Sequence, residues 1–250
     1  MNKPRVAFFD FASCEGCELQ IANLEEEILD LIEIVEVVSF REVMKEHSDD
    51  YDIAFVEGSI MRPMDEERLK RIRSNAKILV AFGACATIGG VNKIRNQWQP
   101  EEVLRDVYGD VDLKGNKFFD VFKTKAVDEV VKVDYYIYGC PPPRDEIKKV
   151  ITALVMGKKP EIPNYPVCVE CKKRENICLF ELGEFCLGPI TRAGCNAICP
   201  SNGRACDGCR GILSEPDTKC VEDILKRYNL TYDELKHRFT IFNYRREEER

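Results

Sequence analysis

Short runs of apolar residues alternate with amphipathic stretches along the first 150 residues. Such runs, bounded by polar turns, are typical of strands buried on both faces; they are Val6–Phe9, Val35–Ser39, Ile53–Val56, Ile78–Phe82 and Tyr135–Tyr138. In the stretches between them, apolar residues recur every three or four positions, which predicts helices; these are Glu18–Ile32, Met64–Ala76 and Arg144–Val155. Alternating strands and helices predict an α/β domain with a parallel, doubly wound sheet.

The pattern changes after residue 156. Residues 157–166 read GKKPEIPNYP, a proline-rich stretch that predicts a linker. Nine cysteines then fall within 53 residues, between Cys168 and Cys220, with few apolar runs, so metal ligation is expected to hold this segment together. A helical tail is predicted at Val221–Tyr228 and Tyr232–Phe239. We therefore predict two domains, residues 1–160 and residues 161–250.

Composition narrows the function classes. Hydrophobic residues make up 44% of the 250 residues, which is enough to bury a core. The net charge of −7, without a basic stripe, argues against a nucleic-acid partner, and no apolar run reaches membrane-spanning length. The first residues lack the pattern of a secretory or twin-arginine signal, so we expect a cytoplasmic protein with reduced thiols. Thirteen cysteines then indicate metal or cluster ligands rather than disulfides.

Four cysteines each follow a predicted strand, although they are far apart in sequence. We call them the first set: Cys14, Cys17, Cys85 and Cys140. Ligand sites of open parallel sheets lie beyond the carboxyl ends of the strands, so these thiols are expected to converge on one cofactor. Nearby glycines let the backbone approach a bulky inorganic core; they are Gly83, Gly89, Gly90 and Gly139. The first loop, FASCEGCELQ, matches neither a dinucleotide fingerprint nor a P-loop.

Glu57 ends another strand at the same predicted edge, in the stretch VEGS. Two interpretations stay open for its carboxylate. It either caps a helix or forms an ion pair, or it supports a cluster through hydrogen bonds or proton handling.

The remaining cysteines form two further groups of four. The second set is Cys168, Cys171, Cys178 and Cys186, and the third set is Cys195, Cys199, Cys206 and Cys209. Four thiolates suit a 4Fe–4S cube, and they also suit tetrahedral zinc, so zinc remains an alternative for either set. Chain order alone divides Cys186 from Cys195. Cys220 is left over and is expected to be a spare buried thiol outside the three sets.

These motifs together resemble the small subunit of NiFe hydrogenases. That family holds a proximal cluster with a C-x-x-C loop, a G-x-C-x-x-x-G-G loop and a G-C-P-P loop, which correspond here to Cys14 with Cys17, to Cys85 and to Cys140. VEGS, CLFELGEFCLGPITRAGC and GRACDGC also match the family. The resemblance covers about residues 4–212. It implies a flavodoxin-like first domain and a cysteine-rich second domain with little regular structure.

The resemblance also implies three 4Fe–4S clusters: proximal on the first set, distal on the second and medial on the third. Periplasmic members carry a twin-arginine signal and a His–Cys pair at the distal cluster, whereas here that pair is Cys168 and Cys171. The pattern is therefore similar to cytosolic multisubunit enzymes. These are the NADP-linked sulfhydrogenase δ subunit and its relative in the heterodisulfide-linked hydrogenase of methanogens.

A second resemblance is weaker. The complex I subunit that carries the terminal cluster has two adjacent cysteines in its first loop, whereas Glu15 and Gly16 separate Cys14 from Cys17 here. That family also lacks a nine-cysteine tail.

The main resemblance implies an electron-transfer role in an enzyme whose nickel–iron site lies on another chain. Electrons are expected to pass between that large subunit and a flavin or iron–sulfur subunit during H2 oxidation or evolution. No catalytic residue is expected on this chain. The alternatives are a zinc-stabilised interaction module and a stand-alone iron–sulfur carrier.

Overall fold

The computed structural model describes residues 3–243 and contains one parallel sheet. Its strands follow the order β2-β1-β3-β4-β5, which is the flavodoxin-like order. Phe8 pairs with Phe55, and Phe55 with Val80, so the buried strands are in register across the centre. The α/β prediction is confirmed. The strands are β1 (Arg5–Asp10), β2 (Glu36–Ser39), β3 (Ile53–Glu57), β4 (Ile78–Phe82) and β5 (Tyr135–Ile137).

Helices connect the strands of this first unit. They are α1 (Gly16–Ala22), α2 (Glu27–Ile34), α3 (Pro63–Asn75), α4 (Ala84–Ile88), α5 (Pro100–Tyr108) and α6 (Arg144–Val155), with 3-10 turns at Val91–Gln97 and Val127–Glu129. The predicted bounds of α6 are confirmed at both ends, and Pro143 stands at its N-cap. Helix α5 was not predicted from the sequence, although Pro100 at its start and Gly109 at its end are typical helix boundary signals.

The predicted helix Glu18–Ile32 is two helices. The chain breaks between α1 and α2, where Glu25 adopts a left-handed φ of 56° and the Leu24 N–H bonds to the Ile21 carbonyl in a tight turn. Both helices contact α6. The apolar stripe therefore continues across the break, because both halves cover the same neighbour, and periodicity alone does not reveal the turn.

One side of the sheet packs against α3. Ala7, Val56 and Leu79 share a buried cluster there with Leu69 and Ile72 of the helix. These small and branched side chains alternate along their strands with residues that face the other way, as the two-residue period of a strand requires. The core thus fixes the strands whose carboxyl ends carry the first set.

Leu79→Ala is expected to lower the free energy of unfolding by about 2–5 kcal/mol, because it opens a cavity in a fully buried position. Val107→Ala is the matched control; Val107 lies in α5 and is 64% exposed, so its effect is expected within about 0.5 kcal/mol. Urea unfolding of both variants, followed by far-UV circular dichroism, measures the difference. Equal losses in the two variants would contradict this view of the core.

The chain divides into two compact units between Glu161 and Ile162. The second unit has short elements: α7 (Val167–Lys173), a 3-10 turn (Leu179–Leu182), α8 (Ile198–Ser201), α9 (Thr218–Tyr228) and α10 (Tyr232–Asn243). Its buried cluster includes Val167, Leu179, Phe180 and Leu187, and two of its members are the cysteines Cys186 and Cys206. Within residues 3–243, no helix has the length and apolarity needed to cross a bilayer.

Candidate functional site

The first set lies at one edge of the sheet. The neighbouring strands β1, β3, β4 and β5 all end there, and Cys14, Cys85 and Cys140 follow three of them. Two backbone hydrogen bonds tie the last two loops together: the Gly83 N–H donates to the Ile137 carbonyl (2.8 Å), and the Ala84 N–H donates to the Gly139 carbonyl (2.7 Å). The topology therefore brings together residues that are 126 positions apart (Cys14 to Cys140).

Glu57 caps the start of α1. Its carboxylate accepts hydrogen bonds from the backbone N–H groups of Cys17 (3.2 Å) and Glu18 (2.8 Å). A helix N-terminus has unsatisfied N–H groups, so a buried carboxylate is stabilised there. The capping interpretation is thus observed directly. Since one donor is the backbone of Cys17, the same carboxylate also holds that thiol in position.

Glu18 is a buried acid that was not singled out from the sequence. It is 1% exposed, and both carboxyl oxygens are without a hydrogen-bond partner among the described residues. Burial, with a smaller contribution from the charge of Glu57, raises the pKa of Glu18 to about 8. Sequence offers no signal for this burial, because an acid in the first turn of a helix is ordinarily solvated.

The four thiols of the first set affect one another electrostatically. Burial, with smaller contributions from the neighbouring Cys140, Glu57 and Cys14, raises the pKa of Cys85 to about 12. Burial also raises the pKa of Cys17 and that of Cys140. A thiol must lose its proton to bind a metal, so these thiolates need a strongly positive centre between them.

Glycines make room beside these thiols. A Cβ atom on Gly83 would lie 2.2 Å from the Cys17 sulfur, and a Cβ atom on Gly90 would lie 3.0 Å from the Cys85 sulfur. Both positions have positive φ angles. Four thiols beside side-chain-free backbone fit a bulky inorganic cluster, as predicted from the sequence for this edge.

Gly83→Ala is expected to remove the cluster from the first set, a loss of about four iron atoms per chain, because the added methyl overlaps the Cys17 sulfur. Gly109→Ala is the control, since Gly109 also has a positive φ (63°) but nothing lies within 4 Å of its Cβ position. Iron content of the two anaerobically purified variants measures the difference. If both variants keep full iron, the glycine cradle is not required.

The second set converges in the second unit. Cys168 and Cys171 stand one turn apart on α7, Cys178 precedes the 3-10 turn, and Cys186 follows it. Burial, with smaller contributions from the other three thiols of the set and from Cys220, raises the pKa of Cys168 to about 12. A Cβ atom on Gly188 would lie 3.3 Å from the Cys168 sulfur and 3.4 Å from the Cys186 sulfur. The structure thus repeats the arrangement of thiols beside a glycine.

The third set is connected through its charged neighbours. Cys206 is buried, which raises its thiol pKa, and Cys209 is among the anions that raise it further. Burial raises the pKa of Cys195, and the Arg210 guanidinium opposes this shift. Burial also raises the pKa of Cys199, and the Asp207 carboxylate adds to that shift. Asp207 and Arg210 adjoin Cys206 and Cys209 in sequence, so these charges lie within electrostatic range of the Cys195 and Cys199 thiols.

The second and third sets are joined by direct contacts. The Cys206 N–H donates to the Cys186 sulfur (3.2 Å), and the Leu187 N–H donates to the Cys206 carbonyl (2.9 Å). Glu170, which lies on α7 between two cysteines of the second set, accepts from the N–H groups of Gly194 (2.9 Å) and Ala197 (3.2 Å) on either side of Cys195. Sequence does not reveal this role of Glu170.

Among residues 3–243, no three His, Cys, Asp or Glu side chains are grouped closely enough to share a single metal ion. A 4Fe–4S cube is wider than one ion, and its cysteine ligands stand around its corners.

The fold and the site define a class of protein: an α/β sheet protein with thiols at its strand ends and a second, cysteine-rich unit, as in iron–sulfur oxidoreductases. Comparison with known proteins agrees. Residues 14–154 match the family model of the NADH ubiquinone oxidoreductase 20 kDa subunit. The chain is 34% identical over 224 residues to sulfhydrogenase 2 subunit delta of Pyrococcus furiosus, which covers 89% of this chain and 92% of the relative.

Two further relatives support the same assignment. A vhu subunit of the F420-non-reducing hydrogenase of Methanocaldococcus jannaschii is 34% identical over 235 residues, covering 83% of this chain and 81% of the relative. A crystal structure of an NAD+-reducing [NiFe]-hydrogenase in the H2-reduced state contains a chain with 32% identity and a TM-score of 0.58, covering 65% of this chain and 96% of that one.

The chain therefore belongs to the NADH ubiquinone oxidoreductase 20 kDa subunit family, and the relatives that match most of its length are hydrogenase subunits. The predicted membership among hydrogenase small subunits is confirmed. The weaker resemblance to complex I agrees with this result. The family model is named after a subunit of NADH ubiquinone oxidoreductase, which is complex I, and its match to residues 14–154 lies within the first unit.

Proposed function

We propose that this chain is the electron-transfer subunit of a cytoplasmic NiFe hydrogenase and that it holds three 4Fe–4S clusters. Residues 1–160 form the domain of the proximal cluster, and residues 161–250 form the domain of the medial and distal clusters. When bound, the clusters supply one-electron carriers that link a nickel–iron large subunit to a flavin or iron–sulfur subunit. The acceptor is NADP-linked in this proposal.

The observation that carries the proposal is the convergence of Cys14, Cys17, Cys85 and Cys140 at the carboxyl edge of the sheet. This chain's task is to hold thiolates in fixed positions. Glu57 fixes the loop of Cys17 through two backbone bonds, and Asn92 donates to the Ala12 carbonyl (2.7 Å) and lies 4.0 Å from the Cys85 sulfur. Rigid ligands reduce reorganisation when charge changes.

The second unit supports the proposal through the bond between its two sets of thiols. The hydrogen bond from the Cys206 N–H to the Cys186 sulfur joins a predicted medial ligand to a predicted distal ligand. A direct bond between ligand residues of two centres provides a short path for an electron. Such a contact between the two predicted ligand sets suits an electron relay.

Purification under anaerobic conditions tests the partner assignment. An affinity-tagged chain is expected to co-purify with a nickel-containing large subunit. The iron–sulfur clusters of this complex are expected to become reduced under H2. A brown chain that purifies without any nickel protein would support the stand-alone carrier instead. A colourless chain with stoichiometric zinc would support the interaction module.

A further inference from the structure

The end of α7 places one amide side chain against a thiol of the second set. The helix ends with two nested backbone hydrogen bonds: the Asn176 N–H donates to the Cys171 carbonyl (3.2 Å), and the Glu175 N–H donates to the Lys172 carbonyl (3.0 Å). Glu175 lies in the left-handed region with φ at 57°. This is the Schellman arrangement, and it brings Asn176 back over Cys171.

From this position, the side chain of Asn176 reaches two hydrogen-bond acceptors. Its Nδ2 lies 3.6 Å from the Cys171 sulfur and 3.0 Å from the Ser201 hydroxyl on α8. An amide nitrogen carries two hydrogens, so each of the two acceptors takes one. Asn176 is therefore held between a predicted distal ligand and the helix that carries Cys199.

The chemistry of the thiol fixes the orientation of the amide. A cysteine that ligates iron has no proton, so its sulfur can only accept a hydrogen bond. The amide must then present its N–H group, rather than its carbonyl oxygen, to Cys171. A hydrogen bond to sulfur stabilises the reduced cluster more than the oxidised one, because reduction adds negative charge that spreads onto the thiolates.

We propose that Asn176 is a positioning residue that raises the reduction potential of the cluster on the second set through its N–H bond to Cys171. This inference rests on the proposed function, since it requires an iron–sulfur cluster at Cys168, Cys171, Cys178 and Cys186. It extends that proposal by assigning part of the electron-accepting strength of this cluster to one residue outside the ligand set.

Potentiometric titration of the anaerobic holoprotein, followed by EPR, tests the inference. A Cys178→Ala variant, which is expected to lose this cluster, identifies the signal that belongs to the second set. Asn176→Ala is expected to lower the midpoint potential of that signal and to leave the other two unchanged. Asn176→Asp, which is nearly isosteric and replaces the donor by a negative charge, is expected to lower it further.

Two control variants separate the bond to sulfur from general packing. Asn202→Ala removes an exposed amide of the same unit that donates to the Ile198 carbonyl (2.8 Å), so no potential is expected to move. Ser201→Ala removes only the second acceptor of the Asn176 amide, so the potential is expected to stay close to that of the unaltered protein.

The outcomes are distinct. A selective fall in one potential, with full iron content, supports the role of Asn176. An unchanged or higher potential in both Asn176 variants, or an equal shift of all signals, overturns it while leaving the proposed function intact. If Asn176→Ala loses iron, the midpoint potential of Asn176→Asp is measured instead. A selective fall of that potential supports the role of Asn176, and an unchanged or higher potential overturns it. If the unaltered chain itself holds no iron–sulfur cluster, the proposed function fails instead.

Discussion

Cys85→Ala is expected to remove the whole cluster of the first set, about four of twelve iron atoms per chain. Cys85 lies on α4 between the loops of Cys17 and Cys140, and its thiol interacts with both of those neighbours. Three remaining thiolates leave one corner of a cube without a ligand. The first set is proposed to hold the proximal cluster, which is expected to receive electrons from the large subunit. H2-dependent reduction of the other two clusters is therefore also expected to stop.

Cys220→Ala is the control for this result. Cys220 is exposed on α9, so the expectation that it is buried was wrong. It belongs to none of the three sets, and iron content and electron transfer are therefore expected to match those of the unaltered protein. Iron and acid-labile sulfide, with EPR spectra of both variants under H2, measure the difference. Full iron in Cys85→Ala would contradict the first set, and iron loss in Cys220→Ala would show that the second set is wrongly assigned.

Removal of iron is expected to unfold the second unit and to leave the sheet of the first unit folded. The second unit's helices α7 and α8 have only seven and four residues, and its apolar cluster is built partly from cysteines. In small metal-stabilised domains, ligation supplies folding free energy on the order of 10 kcal/mol. The first unit instead has a five-stranded sheet with fully buried residues such as Phe55 and Leu79.

Hydrogen exchange of the iron-loaded and the chelator-treated protein measures this effect. Amides in residues 166–213 are expected to lose protection after chelation, whereas those of β3 and β4 are expected to keep it. The first unit serves as the internal control within the same sample. Retained protection in residues 166–213 would mean that apolar packing, and not ligation, holds the second unit together.

Sequence predicted the sheet well because buried parallel strands are continuous apolar runs. The bounds of β4 and α6 agree with the predicted ones, and β5 ends one residue early. The break between α1 and α2 was missed because its turn depends on Glu25, a residue type that rarely adopts a left-handed conformation. Where local preference and tertiary packing disagree, the apolar pattern follows the packing.

The candidate site, like the fold, could be predicted from the sequence only in part. Strand ends predict where Cys85 and Cys140 lie, since topology alone sets that edge. The roles of Glu170 and Asn176 depend on how α7 packs and closes, and their residue types carry no signal of it. Contacts that form only when loops distant in sequence meet are beyond sequence patterns, although their residues lie among the predicted ligands.

Metal analysis of the anaerobically purified chain tests whether twelve of its cysteines hold three iron–sulfur clusters. Three cubes on twelve cysteines predict about twelve iron and about twelve acid-labile sulfide per chain, with zinc well below one equivalent. Mössbauer spectra are expected to assign this iron to 4Fe–4S clusters. A chain that contains one or more equivalents of zinc and neither iron nor sulfide would contradict the account.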